Sequence, residues 1–369
     1  MDLMIFIIAI SKEDRKMDKA GKLTFSFREW IRNSVQGLIS LFQPSGKGTP
    51  EKNGLHPFRV IVRKEMADHF SSWRFIILVS LIFLTCLGSM YTAMSNISKA
   101  VKSEDAEGAF FFLRLFTASD GTLPPFFVFI GFLGPLLGIG LGFDAINSEQ
   151  NRGTLSRLLA QPVHRDYVIN AKFLAALQVI SLMFFVLGFL VIGFGLISIG
   201  IPPTAEEFLR IIFFLLLSII YVAFWLNLSI FFSVRFRQPA TAALAGIAVW
   251  LFFTVFYPMI VSLIIKALSP DQAMEASYKM YLLEKLRLTL MRFLPNQLFS
   301  EATTTLLMPS VRSLGPLTME QLYGTIPGPL PLGQSLLLVW PQVTGLIAAT
   351  VLCFALSYVS FMRREIRSR

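Results

Sequence analysis

Six stretches of this chain stay apolar for roughly 20 residues or more, the length a helix needs to cross a bilayer: residues 75–95, 124–143, 173–199, 209–233, 240–265 and 335–361. The polar blocks between them are short, except for 96–122, 144–172 and the long 266–334. Ahead of the first span, Phe27, Trp30, Ile31, Val35, Leu38 and Phe42 recur at helical spacing, which predicts an interfacial amphipathic helix over 23–42. A Pro- and Gly-rich linker follows. Pro57 then opens a second amphipathic helix, with Phe58, Ile61, Val62, Met66, Phe70 and Trp73 in one stripe. Leading straight into the first span, it reads as an elbow that carries Arg63, Lys64 and Glu65. The expected fold is an all-α membrane protein with six transmembrane helices, residues 1–56 forming an N-terminal extension and 57–369 the six-span body. The 266–334 segment is expected outside the membrane, with one helix ending at Pro295 and a second short one after Asn296.

Composition strengthens this picture. The 369-residue chain is 54% hydrophobic and only 15% charged, against roughly 25% for a soluble domain, and its mean hydropathy is +0.63. Basic residues gather before the first span, in 144–172, at Arg235 and Arg237 and in the tail, whereas 200–208 has Glu206 and Glu207 alone. By the positive-inside rule both termini lie in the cytoplasm of a cell-membrane protein. The net charge of +10 is then anchoring charge beside anionic headgroups of the lipid bilayer, and no nucleic-acid partner is expected. Cys86 and Cys353 fall inside spans, and His56, His69 and His164 show no metal-ligand spacing.

The spans carry next to no ionisable residues, which argues against a proton- or ion-coupled carrier. No hydrolase or metalloprotease motif occurs, so no catalytic residue is assigned. Gly134, Gly138 and Gly142 repeat every four residues in the second span, a signal for close helix packing. Any transport would draw its energy from another protein.

Residues 148–167 read SEQNRGTLSRLLAQPVHRDY. Asn147 and Ser148 are N-cap types for a turn containing Glu149, Gly153 breaks it, Thr154 caps a second piece and Pro162 stops that. The outcome is a compact helical hairpin with Leu155, Leu158 and Leu159 on one face. Such leucines suit docking in a groove of another protein, with Glu149 and Arg165 fixing the register. The plainer alternative is a stable reversal between two spans.

These residues resemble the membrane subunits of ABC transporters of the type-2 exporter class, and within it the subgroup of the nitrous-oxide-reductase maturation permease. The resemblance rests on Asp144, Ile146, Glu149, Gly153, Thr154, Leu155, Leu158, Leu159, Pro162, Arg165 and Lys172, with Ala171 where a Gly often precedes the Lys, and on the Lys64–Glu65 pair upstream. It implies a permease subunit of an ATP-driven exporter, in which 144–172 is the coupling hairpin for a separate ABC ATPase subunit. It also implies a second permease copy as partner, forming a homodimer, and ATP and Mg bound on the ATPase, not here. PSGKGTP lacks the flanking Gly and Ser or Thr of a phosphate-binding loop. The alternatives are a membrane module that recruits an ATPase for envelope assembly and, less well matched, an ion-coupled secondary transporter. Neither cargo nor substrate-binding residues follow from the resemblance.

Overall fold

The computed structural model describes residues 56–100, 110–119, 123–161, 163–200, 202–269, 276–315 and 329–364. The helix and linker expected over 23–54 lie outside them. Every regular element among the described residues is helical. Helix α1 (Pro57–Phe70) starts on its proline, and a break at Ser71–Ser72 separates it from α2 (Trp73–Ala100), the first span. A short α3 (Phe111–Thr117) precedes the second span, α4 (Phe126–Gly142). The hairpin consists of α5 (Asn147–Asn151) and α6 (Thr154–Leu159). The third and fourth spans are α7 (Arg165–Ile199) and α8 (Ala205–Arg235). The fifth is α9 (Pro239–Leu251), a π-helical turn at Phe252–Phe256 and α10 (Tyr257–Leu268). Then come α11 (Ala276–Met291), α12 (Pro295–Leu307) and the last span, α13 (Leu332–Met362).

Local chemistry sets the turns. Gly200, at φ +78°, takes the left-handed position that ends α7. Thr204 and Glu207 then form a reciprocal capping box that starts α8. Glu207 accepts a further bond, from the Phe112 backbone N–H at 3.0 Å, and so ties α3 to the start of α8.

The bundle is built around α8. Its most apolar stretch is 72% buried, against 11% for the fifth span, and it packs on α4, α7, α9, α12 and α13. The glycine repeat of the second span lies along it. Trp73, expected on the α1 stripe, is instead exposed in the first turn of α2, because the chain turns at Ser71–Ser72 before reaching it. The rest of the stripe does bury: Val62, with Phe58, Ile61 and Met66 beside it, packs on Ala171 and Ala175 of α7.

The largest departure from expectation lies in 266–334. Residues α11 and α12 do not rest wholly outside the spans. Asn296, at the start of α12, meets Tyr221 in the middle of α8, while Leu306, near its end, accepts a bond from Arg210 near the start of α8. Each pair of positions is about 15–17 Å apart along its helix at the standard rise, so α12 runs antiparallel beside the first half of α8. Tyr257, midway along the fifth span, donates to the Leu290 carbonyl at 3.0 Å and sets the tip of α11 at the same level. The segment is a helical hairpin entering from the end of the bundle opposite α5 and α6. Its own polarity hid it, since neither helix is apolar enough to read as a span.

That insertion brings charge among the helices. Glu301 is buried and takes bonds from Arg292 Nε at 2.9 Å, Gln297 Nε2 at 3.0 Å and Gln342 Nε2 of α13 at 3.0 Å. Arg210, inside the predicted fourth span, is fully buried against Glu206, Ser335 and the Leu306 and Leu330 carbonyls. Each cluster combines a local partner, Gln297 for Glu301 and Glu206 for Arg210, with partners remote in sequence, Gln342 for the first and Ser335, Leu306 and Leu330 for the second.

At the tip, the Tyr221 hydroxyl lies 2.8 Å from the Gly131 carbonyl and 2.7 Å from the Asn296 amide, whose other end is 2.9 Å from Thr254 Oγ1 in the π-helical turn. One hydroxyl proton cannot serve two acceptors fully. With the Asn296 amide turned over, it donates to Tyr221, Tyr221 donates to Gly131, and Thr254 donates to Asn296. This bridge joins the second, fourth and fifth spans through α12. Tyr221→Phe should cost about 1–3 kcal/mol by leaving buried groups unpaired, read as a lower melting temperature of the purified chain, while Phe299, stacked on that ring at 4.3 Å, keeps its packing.

Candidate functional site

Two turns into α7, Lys172 points toward α1 and α5. Its ammonium is 2.9 Å from Glu65 Oε2 and 2.9 Å from Glu149 Oε1, and the residue is only 5% exposed. One buried cation thus bridges the helix before the first span to the hairpin after the second. At the rim, Lys64 lies 3.0 Å from Glu65, 3.2 Å from Asp68 and 3.7 Å from Glu149. Burial alone would raise the Glu65 pKa, but Lys172 and then Lys64 outweigh it and hold the carboxyl below its usual range. For Lys64, burial pulls the pKa down, and the carboxylates of Glu65 and Asp68 push it above the ordinary lysine value. Burial also depresses the neighbouring His69, against the pull of Glu65. These groups line a cavity of about 540 Å3 together with Arg74, Asp144 and Arg152.

The hairpin is pinned at further points. Asp144 pairs with Arg74 of α2 at 2.7 Å, and the Arg74 guanidinium lies 4.9 Å from the Phe143 ring centre. Ser233 Oγ of α8 accepts from the backbone N–H groups of Ile146 at 3.0 Å and Asn147 at 3.2 Å, satisfying donors that the start of α5 leaves open. Asn151 donates to the Arg237 carbonyl at 3.0 Å. Gly153, at φ +67°, makes the turn between α5 and α6, where a side chain would be strained. Thr154 Oγ1 donates back to the Glu149 carbonyl at 3.2 Å. Arg165 donates to the Phe361 carbonyl at 3.0 Å and to that of Arg364, at the end of α13.

Two expectations need correction. Leu155, expected to face a partner, is 1% exposed and belongs to the chain's own core, with Leu158 packed beside it. The apolar face of α6 covers the end of the bundle, and that covering removes the cost of exposed leucine. Glu149 and Arg165, expected to set register on another protein, are bonded to Lys172 and to α13. The side chain of Leu159, and Pro162, lie outside the described residues. Arg63 is exposed on α1, away from the Lys172 bridge. Among the described side chains, the hairpin exposes Asn151, Arg152, Thr154, Arg157, Ala160 and Gln161. Among the described residues no group of three His, Cys, Asp or Glu side chains is placed to hold a metal ion.

Sequence reading missed Arg74 and Ser233 as parts of this site. Arg74 registered only as topology charge, and a serine in an apolar run carries no signal by itself. The bridge of Lys172 to Glu65 spans 107 positions, and only the shared resemblance of the two segments hinted at it.

A family model described as "ABC-2 family transporter protein" matches residues 59–366 of the chain, which includes the whole bundle and the hairpin. The chain is also similar to the probable ABC transporter permease protein NosY of Pseudomonas aeruginosa, 26% identical over 201 residues that cover 54% of this chain and 67% of that one. With six helices long and apolar enough to cross a membrane and a family match over most of its length, the chain belongs to the ABC-2 family of transporter proteins, as a multi-pass membrane permease subunit.

Proposed function

We propose that this permease subunit works in an ATP-driven exporter, and that the hairpin from Asp144 to Arg165 passes the closure of a separate ABC ATPase subunit to the spans. Both termini and the hairpin then face the cytoplasm, ATP and Mg are bound by the ATPase, and two copies of the chain enclose the path. The observation that carries this reading is the buried Lys172 bridge, which links Glu149 of the hairpin to Glu65 of α1. A hairpin that only reversed the chain would need no buried cation tying it to a third helix. Tied to α1, α2, α8 and α13, it moves those helices when it is pushed.

The test separates coupling from assembly. Glu149→Gln keeps shape and a hydrogen bond to Lys172 but removes the charge. In proteoliposomes with the ATPase, it should leave ATP hydrolysis within about twofold and lower cargo efflux per ATP by about tenfold, a loss of about 1.4 kcal/mol in coupling. Equal efflux per ATP in the variant and the parent protein would reject the lever.

A further inference from the structure

Helix α3 turns its two faces to different surroundings. Residues 110–117 read FFFLRLFT, an apolar run broken by one arginine. Phe112, Leu115 and Phe116 are buried in the core of the bundle, and the Phe112 backbone N–H is held by Glu207 at 3.0 Å. Phe110, Leu113, Arg114 and Thr117, spaced by three and four, line a cavity of about 590 Å3. Met308, Pro309 and Arg312, which follow the end of α12, supply another part of its wall. The Arg210 guanidinium lies 5.9 Å from the centre of the Phe110 ring and steadies it. The cavity sits at the end of the bundle away from α5 and α6, because Glu207 begins α8 and Ser233, which holds the hairpin, is near its other end. Its described lining contains two guanidinium groups and no carboxylate. Arg114 is exposed and makes no ion pair among the described residues; the Phe111 ring lies 6.0 Å from it. On the outer side of a membrane, the positive-inside rule gives such an arginine no topological role.

We propose that this cavity binds an anionic amphiphile, its phosphate or carboxylate head held by Arg114 and Arg312 and its hydrocarbon body laid against Phe110, Leu113 and Met308. Planar guanidinium groups match the oxygens of such heads in pairs. Apolar walls with a few placed polar groups, at this volume, are the usual build of a small-molecule site. A cation would be repelled by the two arginines, and a neutral hydrocarbon would leave them without a partner. An arginine that only reaches for the headgroup layer needs no walled cavity beside it. The site lies at the far end of the bundle from the hairpin, so binding there does not depend on the coupling role. Its placement on the outer face rests on the orientation proposed above.

The experiment uses the full-length chain in phosphatidylcholine nanodiscs and, as probe, dodecyl phosphate carrying a diazirine beside its head group. On illumination it should label peptides spanning 110–117 and 307–312, and the labelling should saturate. Arg114→Gln should raise the half-saturating concentration about tenfold, and the double variant with Arg312→Gln about 100-fold, about tenfold for each charge-assisted contact. Arg114→Lys should lose less than Arg114→Gln, because it keeps the charge. Arg114 is exposed, so the single variants should melt with the parent protein, which separates lost binding from lost folding. Dodecyl maltoside with the same diazirine, its head uncharged, should label these peptides without saturating. Phosphatidylglycerol added to the discs identifies the source of the head group: competition assigns the site to a bilayer lipid, and lack of competition to a free amphiphile, either of which supports it. Labelling that Arg114→Gln leaves unchanged, equal saturation by the maltoside probe, or no labelling of these peptides in the parent protein would overturn the proposal and leave the coupling role standing.

Discussion

Lys172→Met should lower the stability of the folded chain by about 3–5 kcal/mol at neutral pH, because it removes one partner from a buried ionic cluster and leaves the others charged. In the parent protein Glu65 and Glu149 each lie 2.9 Å from that ammonium. Without it, two buried carboxylates lose their shared cation, and Lys64 at the rim is the one remaining cation within 4 Å of them among the described residues. The pH dependence gives the prediction its sign. Glu65 has a folded pKa below its ordinary value, so in the parent protein it contributes stability above the ordinary carboxylate range, which is lost as the pH falls through the folded pKa. In the variant the carboxyl pKa is driven up by burial and repulsion, so acidification from neutrality relieves the strain. The gap between the two proteins should therefore narrow as the pH falls toward the carboxylate range. Thermal melts of both proteins in the same detergent across that range check it. A gap that stays constant, or widens in acid, would show that Lys172 contributes packing and no charge.

Gly138→Ala should be among the most damaging single-methyl additions in the spans. A Cβ built there comes within 2.8 Å of the Val222 carbonyl oxygen and 2.9 Å of the Leu226 backbone nitrogen, and at Gly142 within 2.8 Å of the Leu226 carbonyl oxygen. These are backbone atoms of α8, which cannot swing aside as a flexible side chain does. The helix would have to move, and α8 is the axis on which the second, third, fifth and last spans pack. Each substitution should cost toward the upper end of the usual overpacking range of about 1–3 kcal/mol. Gly193→Ala is the control: a Cβ there has nothing within 4 Å, and removing a helical glycine should be neutral or stabilising by up to about 1 kcal/mol. Melting temperatures of the three variants in one detergent decide the point. Equal shifts at Gly138 and Gly193 would mean that backbone entropy, and not the close approach, dominates.

The glycine repeat shows what was legible in the sequence. Small residues every four positions along an apolar run say that another backbone comes close, and α8 is that backbone. The six spans were legible for the same reason, since length and apolar continuity are local properties. Their ends moved by a few residues except at α7, which begins at Arg165, eight positions before the predicted 173, because a helix continues through polar residues that hydropathy excludes. The helices α11 and α12 were legible as helices, but their insertion among the spans was not. Glu301, Arg292 and Asn296 make the pair too polar for a span, and the partners that permit its burial, Gln342, Tyr221 and Thr254, lie on other helices. Periodicity likewise put Leu155 and Leu158 on one face correctly but could not tell what covers that face. In the hairpin the motif residues were legible as a set. That Asp144, Glu149, Arg165 and Lys172 bond within the chain needed three-dimensional contacts.

The account turns on the hairpin tip being a cytoplasmic docking surface. Arg157→Cys places a thiol on it, and the native Cys86 and Cys353 are buried, so background labelling should be low. A membrane-impermeant maleimide should label this variant in inside-out vesicles and not in right-side-out ones, and bound ATPase should protect it. Labelling from the opposite side, or labelling that bound ATPase leaves unchanged, would contradict the account.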